Sequence, residues 1–268
     1  MTETDVDWQT TFLDQGLYQD LATLFTALGQ AADFPDLAQL GQWLAPGTQT
    51  LSGQPVQFCA DAPSDYYEAQ VLASGRVPTR ERNWHDLFNA LAWALFPRAK
   101  AMLNGQHVAD IDAHGLHPRT LRRDSLTLFD ECGVLVVASD LSLLEDLRQH
   151  RWQSAFVARR GAWGRQIEGR VFGHAVYEQG LTPYLGLTAK MFPVLVEADY
   201  FAWNIKDRYG YLDQVLALAL AGDALKDKAL LSPLPLLGVP GWWPANAAAD
   251  FYDNTQYFRS LSRPRPPL

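Results

Sequence analysis

The chain has 268 residues, of which 48% are hydrophobic and 12% aromatic, so it can bury a sizeable core and is not expected to be disordered. Two widely spaced cysteines fit a reducing compartment and argue against a disulfide scaffold or a zinc ribbon. A net charge of −8 makes duplex nucleic acid an unfavourable partner. No signal peptide and no bilayer-length apolar stretch is visible, so we expect a soluble cytoplasmic protein without membrane insertion.

The charge is unevenly distributed along the chain. Residues 1–75 contain ten acids and no Lys or Arg, whereas residues 76–170 contain fourteen basic and eleven acidic residues. The acidic segment is either a solvated face or a partner of the arginine-rich middle. Arginine outnumbers lysine by seventeen to five. Because arginine binds carboxylates and phosphates through two hydrogen bonds, this bias points to a small anionic ligand, although a GC-rich genome gives the same bias.

The first third of the chain favours helices. The apolar spacing of residues 12–28 predicts one helix, and residues 34–44 predict a shorter one. Residues 45–64 read as a loop. The clearest helix starts at Asn83, a good N-cap, with Asp86 placed to interact favourably with the helix dipole. Pro97 must break or kink this helix, so a new turn is expected at Arg98.

Two β-rich runs, Ser125–Phe129 and Val134–Ala138, flank a segment that ends in Gly133. This pattern predicts a β-hairpin near 125–138. Further helices are expected near 153–160, 165–179 and 212–221, a strand near 192–197, and an extended apolar strap from Ser232 onward. The sequence therefore predicts a predominantly helical α+β fold with a small sheet. We expect a single globular domain over 1–262, followed by a loose C-terminal tail over 263–268.

Several sequence blocks together resemble the proteobacterial family DUF3025, a domain of unknown function. The blocks run from about Tyr66 to Arg259 and read GRVPTR, NWHDLFNALAWALFP, RRDSLTLFDECGVL, FGHAVYE, GLTAK, PLPLLGVPGWWPAN and FYDN. The resemblance implies a bacterial source and a single shared architecture. It implies no activity and carries no catalytic residue over to this chain.

His85 and Asp86 form an adjacent pair on the helix that Asn83 caps. Metal-dependent phosphohydrolases pair such a motif with an earlier histidine, which this chain lacks because no histidine precedes position 85. His85 remains a candidate ligand or general acid/base, since imidazole titrates near neutrality. Asn89 and Trp93 share its helix face and could line a pocket. The alternative is structural: Asp86 supports the cap, and His85 bonds a neighbouring loop.

A second group of candidates is His107, His114 and His117, which lie near Asp110 and Asp112. These residue types can bind zinc, but the spacing matches no established motif and a polar loop gives the same letters. The sequence therefore assigns no residue to a metal and leaves the cofactor unknown.

The segment around Arg123 and Asp124 holds a third group. On a strand, Asp124 and Asp130 would point to one face, as paired carboxylates for acid/base chemistry or a hard cation would need. Alternatively, Asp130 and Glu131 are turn residues, and Arg123 pairs with Asp124.

Two function hypotheses follow. In the first, the protein is an enzyme acting on a small anionic substrate. His85, Asp86 and Asp124 are then catalytic, and the substrate-binding residues are Arg80, Arg82, Asn89, Trp93, Arg123 and His174. In the second, it is a non-catalytic ligand-binding or protein-interaction protein that uses the same arginines and an exposed patch with Trp242 and Trp243. A lone histidine on a helix, such as His174, is more often a core residue with satisfied hydrogen bonds than a ligand. The oligomeric state is open.

Overall fold

The computed structural model describes residues 7–61 and 66–266. Short 3₁₀ turns begin the described chain at Thr11–Asp14 and Gly16–Tyr18. The helices are α1 Gln19–Leu24, α2 Thr26–Gln30, α3 Leu37–Trp43, α4 Tyr67–Ser74, α5 Trp84–Leu95, α6 Pro97–His114, α7 Leu121–Cys132, α8 Leu141–Arg148, α9 His174–Gly180 and α10 Ile205–Ala221. The strands are β1 Gln57–Cys59, β2 Arg76–Pro78, β3 Gly133–Ala138, β4 Ile167–Val171, β5 Thr188–Leu195 and β6 Ser232–Pro235. The fold is predominantly helical α+β, as predicted.

The strands form two small sheets. The larger has the order β4-β3-β5-β6, in which β3 pairs antiparallel with β4 and parallel with β5. Every residue of β3 is buried, which explains its continuous apolar sequence. In the smaller sheet, β1 and β2 pair in parallel and α4 connects them. This connection brings the chain after β2 to the start of α5.

The predicted hairpin near 125–138 is wrong in its first half. Residues 121–132 form α7, whose first turn is capped by Thr120 through its hydroxyl and the backbone N–H of Arg123. Leu126 and Phe129, three residues apart, bury the inner face of this helix. The run from Ser125 to Phe129 fits the residue spacing of a strand and also that of a helix. The Thr120 cap favours the helix. Only the second half is a strand, and its partners are distant in sequence.

The helix predicted from Asn83 is confirmed. The Asn83 side chain accepts a hydrogen bond from the backbone N–H of Asp86 at 3.0 Å, and α5 ends before Pro97. Pro97 occupies the first turn of α6, where it costs no helical hydrogen bond. The two helices pack on α9 and α10 around a shared aromatic core that includes Phe88, Phe96 and Tyr177.

Other segments depart from the expected helices. The predicted helix over 12–28 is divided into 3₁₀ turns and the short helices α1 and α2. The predicted helix over 165–179 is β4 followed by α9, because Phe172 and Gly173 donate backbone hydrogen bonds to the carbonyl of Gly133 and turn the chain. The acidic first segment does contact the arginine-rich middle, where Asp20 accepts from Arg170 at 2.7 Å.

Near the C-terminus, Arg265 and Gln149 exchange two hydrogen bonds. The last two residues of the predicted tail, 267 and 268, lie outside the described residues, as do 1–6 and 62–65 of the predicted domain. Among the described helices, none combines the length and hydrophobicity that crossing a bilayer requires.

Candidate functional site

Helices α5, α7 and α9 meet at one end of the larger sheet. Together with α4, α6 and the segments that follow β1 and β2, they line a cavity of about 470 Å³. Gly173 makes this meeting possible. A Cβ atom there would lie 2.4 Å from the backbone oxygen of Glu131 and 2.4 Å from the nitrogen of Gly133. Because glycine has no Cβ, the start of α9 lies directly against the end of α7. His174, the first residue of α9, is thereby placed beside Glu131.

Two imidazoles meet inside this cavity. The Nε2 atoms of His85 and His174 are 2.9 Å apart, and the two rings meet edge to face. His85 Nδ1 lies 2.7 Å from the carboxylate of Glu178, which is on α9 one turn after His174. The carboxylate of Glu131 lies 3.5 Å from Nε2 of His174. Four side chains from three helices therefore form one chain of contacts, in which Glu178 lies behind His85 and the other three groups meet.

The protonation of the two histidines differs because their surroundings differ. The hydrogen bond that His85 donates to the Glu178 carboxylate raises the pKa of His85 above its usual value, although partial burial opposes the effect. Burial lowers the pKa of His174 to about 3, so its imidazole is neutral across the physiological range. Burial also raises the pKa of Glu131. Nδ1 of His174 is buried without a hydrogen-bond partner among the described residues.

The cavity floor holds a second charged group, which is fully paired. Lys100 is buried, and its amine donates to Asp130 at 2.6 Å and to Asn89 at 2.9 Å. Its Nζ atom also lies 5.8 Å from the ring centre of Trp93. Burial opposes ionisation of Asp130, but the Lys100 charge overcomes it and lowers the pKa of this carboxyl.

The rim of the cavity is held by Arg80 and Asp86. The Asp86 carboxylate accepts from the backbone N–H of Arg80 at 2.6 Å and from its Nε at 3.0 Å. Asp86 thus ties the segment after β2 to the first turn of α5. On the opposite wall, Glu68 accepts from Asn104 at 2.5 Å, and burial raises the pKa of Glu68 to about 7. Burial lowers the pKa of the nearby His107 to about 4.

The structure brings together only part of the predicted site. His85, Asp86, Asn89, Arg80 and His174 line the cavity. The other predicted residues lie elsewhere, and they are Arg82, Trp93, Arg123 and Asp124.

Each of those four side chains has its own surroundings. Arg82 pairs with Asp33 at the surface, and Trp93 is buried behind Lys100. Arg123 is buried against Asp110, not paired with Asp124. Asp124 pairs with Arg119 in solvent, and it cannot share a face with Asp130 because residues six apart on a helix point about 120° away from each other.

Sequence reasoning missed the roles of Glu131, Glu178 and Lys100 in this cavity. Glu131 was read as a turn residue, and its helical setting reverses that interpretation. Glu178 reaches His85 only because α5 and α9 pack together, across 93 residues of sequence. The one available signal was the spacing of His174 and Glu178, which on a helix places both side chains on one face.

Among the described residues, six carboxylates and a single arginine line the cavity, so the predicted clamp of several arginines for an anion is not assembled by this part of the chain. A cleft of about 760 Å³ beside His150 and Tyr252 is larger. In that cleft, however, the Nδ1 atom of His150 already donates a hydrogen bond to the backbone carbonyl of Arg259. Within the described residues, only the smaller cavity gathers three side chains that can bind one metal ion.

The fold and this cavity define an α+β protein with a pocket in which three helices bring histidines and carboxylates together. The chain matches the model of the family described as DUF3025, protein of unknown function, over residues 56–262, and it belongs to that family. The matched range contains every residue of the pocket. No curated protein and no solved structure matches the chain.

Proposed function

We propose that this protein is an enzyme that acts on a small polar molecule in the His85–His174 pocket. The observation that carries the proposal is the convergence of His85, His174 and Glu131 on a concave surface, with Glu178 holding His85 from behind. Titratable groups with opposed pKa shifts in one cavity are typical of active sites. A surface that only binds a partner has no need of such a buried arrangement.

His85 is the central residue of the proposed site. Its side chain is about 30% exposed, so it can meet a substrate, whereas His174 lies deeper. Glu178 fixes the orientation of the His85 ring through Nδ1. This leaves Nε2 as the atom that faces the cavity, either as a base or as a ligand. The proposal retains a small anionic substrate, with Arg80, held on the rim by Asp86, as the arginine among the described lining residues.

The interaction hypothesis is less well supported by the strap. Trp242 and Trp243 are half-buried and pack on the core, so they do not form an open aromatic patch. Arg82 and Arg123, which that hypothesis also needs, already pair with Asp33 and Asp110. Both cysteines are free thiols, which supports the proposed cytoplasmic location.

The test is a turnover screen of the full chain against small phosphate esters, carboxylate esters and amides. His85→Gln should lower kcat/KM by at least about 100-fold on any substrate found, in line with the usual cost of losing an acid/base group. His114→Gln, at the exposed end of α6, is the matched control and should retain wild-type turnover. Turnover that is equal in both variants would contradict the proposal.

A further inference from the structure

The donor atoms in the pocket have the spacing of a metal site. Nε2 of His85, Nε2 of His174 and a carboxylate oxygen of Glu131 all lie within 4.8 Å of one another, and the two nitrogens are 2.9 Å apart. Zinc binds imidazole nitrogen and carboxylate oxygen at about 2.0–2.2 Å, so two such donors on one ion lie roughly 3 Å apart. The three donor atoms are therefore close enough together to bind one ion.

The proton on His85 is placed by Glu178. A carboxylate accepts hydrogen bonds, so the 2.7 Å contact puts the proton on Nδ1 of His85 and leaves a lone pair on Nε2. That lone pair points at His174. A carboxylate that accepts from the far nitrogen of a histidine is the usual outer partner of a metal-binding imidazole.

Without an ion, the described side chains do not supply a hydrogen-bond partner for each of the three ligand atoms. The two Nε2 atoms can share one proton between them. The Glu131 carboxylate then has no hydrogen-bond donor among the described residues. The neighbouring imidazole nitrogen, Nε2 of His174, lies 3.5 Å away. A single divalent ion at this point would engage all three donors at once. The neighbouring Asp130, by contrast, already has Lys100.

We propose that His85, His174 and Glu131 bind one divalent first-row transition-metal ion, with Glu178 as the residue that positions His85. The inference rests on the proposed function, because it names the chemistry of that same pocket. Two imidazoles favour a transition metal over Mg²⁺ or Ca²⁺, which prefer oxygen ligands. Three protein ligands leave positions open toward the cavity, where water or an anionic oxygen of a substrate can bind. The ion would also offset the acidic lining that otherwise repels an anion.

The test is calorimetric titration of the chelator-treated full chain with Zn²⁺. We expect one Zn²⁺ per chain, with affinity lowered at least about 100-fold in Glu131→Gln and in His85→Gln, and about 10- to 100-fold in Glu178→Gln. Glu131→Gln is the most informative variant, because this half-exposed side chain has no hydrogen-bond donor to lose among the described residues. A thermal melt of each variant confirms that it is folded.

Two substitutions in the same cavity are matched controls. Glu81→Gln removes the same charge and His107→Gln the same ring, and neither residue belongs to the three donors. Each should change Zn²⁺ affinity by less than about threefold, since charges outside the coordination shell contribute little. An equal loss in Glu81→Gln and Glu131→Gln, full affinity in Glu131→Gln, or no binding to the wild type would each overturn the metal site.

The failure of this inference is distinguishable from the failure of the proposed function. If Zn²⁺ does not bind but His85-dependent turnover is found, the pocket is an active site without this ion. If Zn²⁺ binds through the three residues but the screen finds no His85-dependent turnover, the metal site stands and the enzymatic role is overturned.

Discussion

Arg123 and His85 both place a basic side chain against carboxylates in the interior, but the two clusters differ in how fully their hydrogen bonds are satisfied. Arg123 donates to Asp110 and to three backbone carbonyls of the loop after α6, and both partners of the ion pair are about 4% exposed. Each of these donors has its acceptor. Around His85, three acceptor atoms face one another across a cavity with at most one proton to share.

The difference separates a structural cluster from a chemical one. A fully satisfied buried network fixes the backbone and offers nothing to a ligand. A cluster with more acceptors than donors needs something from outside, and in a cavity a cation or a substrate can supply it. We therefore expect substitutions in the Arg123 cluster to change stability, and substitutions in the His85 cluster to change binding and turnover.

The largest stability effect is expected at Arg123. Arg123→Met leaves Asp110 buried without its cation and frees three carbonyls, which should cost about 4 kcal/mol of unfolding free energy. Arg119→Met, two residues before the start of α7 and about half exposed, should cost less than about 1 kcal/mol. Urea denaturation of both variants measures the contrast, and equal losses would show that Arg123 is not a structural anchor.

The next effect is expected at Lys100. Lys100→Met leaves Asp130 without its partner on the cavity floor, and we expect a loss of about 3 kcal/mol because this carboxylate keeps slight solvent contact. The matched control Lys226→Met removes an exposed lysine and should lie within about 0.5 kcal/mol of the wild type. Denaturation at neutral pH gives both values. A small loss at Lys100 would indicate that water already screens the pair.

Glu68 gives a smaller effect that depends on pH. Its folded pKa of about 7 lies above the ordinary value of 4.5, so the native state holds a proton that the unfolded chain releases between these two values. The contribution of protonated Glu68 to the unfolding free energy is fully present below pH 4.5 and is lost as the pH rises to about 7. Because Glu68 is only half-buried, Glu68→Gln should gain on the order of 1–2 kcal/mol relative to wild type between pH 4 and pH 8. Parallel stability–pH curves for the two proteins would contradict the assignment.

The smallest effect is expected at Asp124, which the sequence marked as catalytic. Its carboxylate pairs with Arg119 at 3.4 Å and is about 42% exposed. Asp124→Asn should change the unfolding free energy by less than about 0.5 kcal/mol and leave Zn²⁺ affinity within about threefold of wild type. The same denaturation and calorimetry measure both. A large loss of Zn²⁺ affinity would place Asp124 near the pocket and contradict the fold of α7.

Short-range sequence patterns were sufficient to predict much of the fold. Asn83 as a cap, Asp86 in the first turn and Pro97 as a break are all effects within a few residues, and each is present in the structure. The hairpin failed for the same reason, because the run from Ser125 to Phe129 satisfies both a strand and a helix locally. The Thr120 cap and the packing of Phe129 decide between them.

The site could be predicted only in part. His85 stood out because a polar group at the start of an apolar helix is unusual, but its partners come from α7 and α9. Their approach depends on Gly173 lying against the backbone of Glu131, a contact between residues 42 positions apart. No local pattern marks that contact. For the same reason, Arg123 and Arg80 looked equivalent in sequence, although one is locked to Asp110 and the other lies on the rim.

The most direct measurement is a crystal structure of the wild-type protein soaked with Zn²⁺, with anomalous data collected at the zinc edge. The account predicts one strong anomalous peak about 2.0–2.1 Å from Nε2 of both His85 and His174, with a Glu131 oxygen at about 2.0–2.2 Å. Open positions of the ion should face the cavity. An empty pocket in which His85 and His174 remain hydrogen-bonded, with zinc only at surface histidines, would contradict the account.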